Sequence, residues 1–170
     1  MTSRHGHQLA CYPQKLKIVF AGLGAYSTGT TMEAAKRLSA EDIDGMRAAI
    51  EDDGMVFNRE YLKDFLTTDG NHAFGWTLEG KIVGIAYGYD LKRPDGKHMF
   101  YLHSIGFLPD YQNKGRGSKL FQYIVDYAHS RGFSEVFVIT DKANSRACKI
   151  YEKAGAKSDV KDEVVYVAEF

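Results

Sequence analysis

Cysteine is scarce. The chain holds Cys11 and Cys148 and no others, far apart and in no metal-ligand spacing, so neither a disulfide framework nor a thiolate metal site is expected to organise the fold. A surplus of either charge is missing as well: 22 lysines and arginines meet 22 aspartates and glutamates. That balance argues against a nucleic-acid partner, which needs a basic surface, yet it leaves room for a local basic pocket around one small anion. No apolar run approaches the length of a membrane span. The N-terminus also lacks the positively charged start and long apolar stretch of a secretory signal. The expectation is a cytoplasmic chain with no membrane partner, and its 170 residues are enough for one domain with a real core.

Residues 1–30 differ in character from the rest. "MTSRHGHQLACYPQ" has no period, and "KLKIVFAGLGAYSTGTT" is a short apolar run ending in small residues. A strand followed by Gly22, Gly24 and Gly29 has the look of a dinucleotide-binding turn. That turn requires a βαβ unit with an acid closing a second strand about 20 residues on. Here the next segments are helical in pattern, so residues 1–30 read as an extension or an edge strand. Their run "KIVFAGLGAY" is expected to cover an edge or to contact a second copy in a homodimer.

From Thr31 the pattern is regular. "TMEAAKRL" serves as a first strand, and Ser39 with Asp42 three residues later opens a helix whose stripe is Ile43, Met46 and Ile50. Asn58 caps a second helix with Tyr61, Leu62, Phe65 and Leu66 inward. "HAFGWTL" and "KIVGIAYGYD" form a hairpin over Glu79-Gly80. In the second of these strands Val83, Ile85, Tyr87 and Tyr89 share one face by period two. Gly84, Ala86 and Gly88 form the other, against which a helix or a ligand can lie closely. "HMFYLHSIGF" is a long strand at residues 98–107, followed by a helix from about Gly115 to Arg131 with Leu120, Ile124, Val125 and Ala128 inward. "SEVFVIT" is a buried strand, Asn144 caps a last helix, and "EVVYVAEF" is a final strand. The order predicts an α/β fold of one sheet with helices on both sides.

Chemistry concentrates in "QNKGRG", residues 112–117, between the long strand and a helix start. Unsatisfied N–H groups and the positive dipole end favour an anion there. Gly115 and Gly117 remove side chains that would hold a phosphate off the backbone, and Lys114, Arg116 and Lys119 add charge. Taken alone, the stretch reads equally well as a plain helix start.

With its neighbours it resembles the GNAT superfamily of acetyl-CoA-dependent N-acetyltransferases. The superfamily signature, Q/R-x-x-G-x-G/A, matches Gln112-Asn113-Lys114-Gly115-Arg116-Gly117 at every fixed position. "ITDKANSRACKIYEKAGA" is similar to the superfamily's next strand, its Asn at a helix start and its Tyr one turn before "KxG". The resemblance covers roughly residues 32–170. It implies a mixed sheet, largely antiparallel, flanked by helices on both sides, in a domain spanning 31–170. It also implies acetyl-CoA as co-substrate and no metal. The pyrophosphate would lie on the N–H groups of residues 114–118, from Lys114 to Ser118, and the pantetheine arm along Ile105, Gly106 and Phe107. Asn144 would bond the pantetheine, and Tyr151 would stand beside the sulfur as acid for the leaving thiolate.

The proton on the attacking amine needs an acceptor. His103 precedes Ile105 by two and so is expected on its face. Histidine ordinarily titrates near neutrality, which suits a base, although a histidine packed in a strand is the equal alternative. Asp52 and Asp53 in "EDDG", with Asp162 and Glu163, are expected on the acceptor side. Within the superfamily the chain looks nearest to the aminoglycoside 3-N-acetyltransferase type I group. One departure matters: that group carries an aspartate in the strand before the signature, and this chain has His103-Ser104. The acceptor is thus expected to be a small-molecule amine, an aminoglycoside first. A peptide or metabolic amine, or an acetyl-CoA sensor without turnover, are the alternatives.

Overall fold

A computed structural model describes residues 32–158. The expected strand "EVVYVAEF", Asp162, Glu163 and the extension at 1–30 lie outside the described residues.

Among the described residues five strands form one sheet in the order β1-β2-β3-β4-β5. They are β1 (Glu33–Arg37), β2 (Asn71–Leu78), β3 (Lys81–Lys92), β4 (His98–Phe107) and β5 (Glu135–Val138). The first four are antiparallel neighbours, and only β5 runs parallel to its partner β4. Glu79 and Gly80 join β2 to β3 with φ of 50° and 78°, the mirror-image turn whose twist suits a hairpin.

Helices α1 (Ile43–Asp52) and α2 (Arg59–Thr67) pack on one face of the sheet, and α3 (Arg116–Ser130) and α4 (Ser145–Lys153) on the other. Local chemistry explains where they start. Ser39 and Asp42 form a reciprocal capping box on the short 3-10 turn that runs into α1. The Asn58 carboxamide accepts from the N–H groups of Glu60 and Tyr61 at the head of α2. Among the described residues no helix is long and apolar enough to cross a membrane.

Each face has its own core. Under α1 and α2 lie Leu38, Met46, Ile50, Ile82 and Ile85. Under α3 and α4, Phe74, Phe100, Leu102, Leu120 and Ile124 are buried completely. Phe121 joins them as a buried residue of α3, while Val125, expected in the stripe, is only partly buried. Tyr61 departs from expectation: it is 78% exposed, because α2 is held to the sheet by Leu62, Phe65 and Leu66 alone.

The alternation read along β3 is broken by a bulge. Trp76 pairs with Gly84 but Thr77 with Ile82, so Val83 is the extra residue. Val83 therefore joins Ala86 in the α3–α4 core, while Ile82 and Ile85 face α1. The glycine face of β3 is also taken by the protein itself. A Cβ on Gly84 would stand 2.5 Å from the Phe107 ring, so β4 fills the space that the sequence left open to a helix or a ligand.

Candidate active site

β4 outruns its parallel neighbour β5 at the edge of the described sheet. Among the described residues β5 pairs with β4 only from Met99 to Leu102, and β4 continues to Phe107 with β3 alone as its partner. The Leu108 N–H donates to the Val83 carbonyl on β3. By the period of two, Gly106 also turns its backbone groups to β3, and those of Ile105 and Phe107 face the open edge. One is already used: the Gln112 carboxamide donates to the Phe107 carbonyl at 2.8 Å. Among the described residues the amide and carbonyl of Ile105 and the amide of Phe107 meet no partner on that edge, which suits an extended, peptide-like ligand.

The signature loop follows directly. A 3-10 turn at Pro109–Tyr111 leads to Asn113 with φ of 59° and Gly115 with φ of 74°. Gly115 sits at the N-cap of α3, and no side chain caps that helix end. The first-turn N–H groups of Arg116, Gly117 and Ser118 thus present the positive end of the helix dipole. Gln112 acts as a tie here: its carbonyl oxygen accepts from Arg146 on α4 while its nitrogen holds β4.

The cations are arranged differently from the sequence reading. Arg116 and Lys119 turn to Glu33 on β1, at 2.8 and 3.4 Å, and among the described residues the exposed Lys114 keeps its charge at the loop without such a partner. Burial alone would raise the Glu33 pKa. The hydrogen bond and charge of Arg116, then those of Lys119, outweigh it and hold the carboxyl below its ordinary value. Gly117 is likewise not an opening toward a phosphate. A Cβ there would meet Cδ1 of Ile150 at 2.8 Å, so this glycine lets α3 approach α4.

On α4, the side-chain oxygen of Asn144 caps the helix by accepting from the Ala147 N–H at 3.1 Å, and the exposed residue keeps its side-chain nitrogen unengaged among the described residues. Tyr151 is buried, its ring edge-on to Phe121 at 5.0 Å. Burial pushes its phenol above the ordinary value, with the Cys148 thiol adding to the shift. A phenol so placed stays protonated near neutrality, the state an acid must hold.

On the α1–α2 face a cavity of about 250 Å³ brings the predicted groups together. Asp52 and Asp53 at the end of α1 line it with Gly106, Phe107 and Gln112. The Ser104 hydroxyl donates to Asp53 at 3.4 Å. A carboxylate from α1 therefore reaches the strand position where His103-Ser104 replaces the expected aspartate. His103 is a correction. A bulge between Tyr87 and Gly88 makes it the extra residue of β4, so it shares a face with Ser104 and not with Ile105. Its exposed ring lies 5.2 Å from Tyr87 and 5.6 Å from Tyr101, whereas Ile105 packs toward α3 and α4. Sequence reasoning missed Ser104, Arg146 and Glu33. Only the period-two spacing of Tyr87 and Tyr89 advertised the ring cluster.

Residues 41–156 match the model of the acetyltransferase (GNAT) family. The "Probable N-acetyltransferase camello" of Xenopus laevis is 34% identical over 83 residues, 49% of this chain and 37% of its own length. The Xenopus tropicalis protein of the same name is 27% identical over 143 residues, 82% of this chain and 64% of its own length. The chain thus spans less than two thirds of these curated relatives. An aminoglycoside acetyltransferase from an uncultured soil metagenomic sample, solved with sisomicin, shares the fold. It superimposes with a TM-score of 0.71 at 24% identity, over 81% of this chain and 95% of that one. Open strand edge, uncapped helix and family model agree, and the chain belongs to the acetyltransferase (GNAT) family.

Proposed function

We propose that the protein transfers the acetyl group of acetyl-CoA to the primary amine of a positively charged small molecule. One observation carries this reading: a single cavity is bordered by the carboxylates Asp52 and Asp53 and by Gly106, Phe107 and Gln112 beside the open strand edge. Acetyl-CoA supplies an activated thioester when bound. The N–H groups at the start of α3, from Lys114 to Ser118, would hold its pyrophosphate, helped by the backbone turn through Asn113 and Gly115. Ile105 and Phe107 would hold the pantetheine arm along β4 with Asn144, and one of their N–H groups would stabilise the oxyanion.

Tyr151 donates a proton or hydrogen bond to the departing thiolate in this reading, for which its raised phenol is suited. His103, exposed on the same face as the cavity's acids, is the group proposed to accept the amine's proton. The amine attacks directly, so Cys148 has no nucleophilic part. Aminoglycosides are the first acceptors to test, supported by the likeness in sequence and by the fold shared with an aminoglycoside acetyltransferase.

The test is release of free thiol from acetyl-CoA with a panel of amines, followed against pH. The rate should rise with pH through the titration of the base, and His103→Ala should flatten that limb. An unchanged limb in His103→Ala would hand the proton to Asp53 or water. Binding of acetyl-CoA with no thiol release from any amine would make the domain a sensor and end the enzymatic reading.

A further inference from the structure

Beyond the cavity, the α1–α2 face of the sheet carries a row of rings. Ile85 lines the cavity, and Tyr87 and Tyr89 follow it on that face at about 6.6 Å per two residues of strand. Tyr89 stacks across to Tyr101 on β4, with centroids 6.3 Å apart and planes at 27°. Tyr101 stacks in turn on Phe137 of β5, at 5.0 Å and 20°. His103 stands between this row and the cavity, its ring 6.0 Å from Tyr89. Helix α2 covers one end through Phe65, at 5.8 and 5.9 Å from Tyr87 and Tyr89. The remaining rings are only half-buried.

We infer that this row is an acceptor-binding wall for an amine joined by a short linker to a flat aromatic ring, an arylalkylamine. The inference rests on the acetyl-transfer reading and narrows its acceptor. The ammonium would lie in the cavity, where Ser104 fixes the Asp53 carboxylate beside Gly106. At about 250 Å³ the cavity is smaller than most whole-ligand sites, which run to about 300–1,000 Å³, so it takes the amine end and leaves the body outside. The rings spanning three strands stack on one another and so offer that body their half-exposed edges, for edge-to-face contact, and an apolar surface to cover.

The experiment measures thiol release from acetyl-CoA with 2-phenylethylamine, n-hexylamine and gentamicin, on the whole chain. The wall predicts a KM for 2-phenylethylamine about tenfold below that for n-hexylamine, with the KM of acetyl-CoA common to both. Tyr101→Leu should bring the ratio of the two amines close to one, and Tyr89→Leu serves as a second variant if the first does not fold. Equal KM values in the unaltered protein would overturn the wall while leaving acetyl transfer standing. So would a ratio that survives both substitutions, or gentamicin turned over in preference to either monoamine. Thiol release with none of the three, despite bound acetyl-CoA, would overturn the wall, and the same silence across the wider panel of amines would end the acetyl-transfer reading as well.

Discussion

Adjacent residues of β4 look into two unlike environments. Phe100 is completely buried under α3 and α4 and meets Phe74 and Phe133 edge-on at 6.1 and 5.7 Å. Tyr101, next in sequence, lies half open on the other face, stacked on Tyr89 and Phe137. The first face is closed by two helices and dense aromatic packing. The second is closed by α1 and α2 only over its β1–β3 side, and keeps its carboxylates, His103 and tyrosines within reach of solvent. Stability therefore concentrates on one side of the sheet and chemistry on the other. The open end of β4 joins them, since Tyr151 and Asn144 come from α4 on the closed side.

The sharpest way to break that comparison is to truncate the two neighbours in turn. Phe100→Ala should cost about 3–5 kcal/mol in urea unfolding, the range for a large ring removed from a sealed core. Tyr101→Ala should cost about 1 kcal/mol, as typical of a half-exposed position. Equal losses would mean the open face also carries the fold.

Tyr151 tests the junction. Tyr151→Phe keeps the contact with Phe121 and removes only the hydroxyl, which has no hydrogen-bond partner among the described residues. Its rate should fall roughly ten- to a thousand-fold, with little change in melting temperature or in acetyl-CoA affinity. A variant at full rate would reduce Tyr151 to a core aromatic.

Gly117 sharpens the point on the closed side. A methyl there collides with Cδ1 of Ile150, the next atom of that side chain being 3.6 Å away. Gly117→Ala should therefore cost no more than about 1 kcal/mol, because the colliding atom is the terminal methyl of a half-buried side chain and can turn aside. Ile150→Val deletes the colliding atom, so the double variant should recover most of the loss in a double-mutant cycle. Purely additive losses would show that the glycine serves the loop and not the helix contact.

The order of elements was legible because each boundary carries its own chemistry: the Ser39–Asp42 box, Glu79-Gly80, and the Asn58 and Asn144 caps. The facing of side chains was not. One extra residue at Val83 and another at His103 reverse the parity, and counting by twos cannot see either. The same bulge hid Ser104, which reads in sequence as belonging with the opposite face. Nor could spacing reveal that Arg116 bonds Glu33, 83 positions away, and so takes part of the loop's charge off the site. The grouping of Asp52 and Asp53 with Gly106 was legible only through family likeness, because α1 and β4 meet through the fold alone.

The smallest predicted effect concerns the rim of the closed face. His72 on β2 is buried among Phe100, Tyr127 and Phe133, and its Nδ1 shares a hydrogen bond with the Tyr127 hydroxyl at 3.3 Å. Burial pushes the imidazole below its ordinary value. Arg37 and Arg131 add to the shift, and Asp90 and Asp69 oppose it. With the folded value depressed, the unfolded chain binds the extra proton first as the solution is acidified. The contribution of His72 is then fully present above about pH 6.5, the ordinary histidine value, and is lost as the pH falls toward the folded value. Urea midpoints taken from pH 7.5 down through 5 should decline over that window. His72→Phe keeps an aromatic ring at the position but titrates nowhere in the range, so its midpoints should decline less steeply. An identical slope in the two proteins would place the acid sensitivity elsewhere, and the closed face would be closed to protons as well as to water.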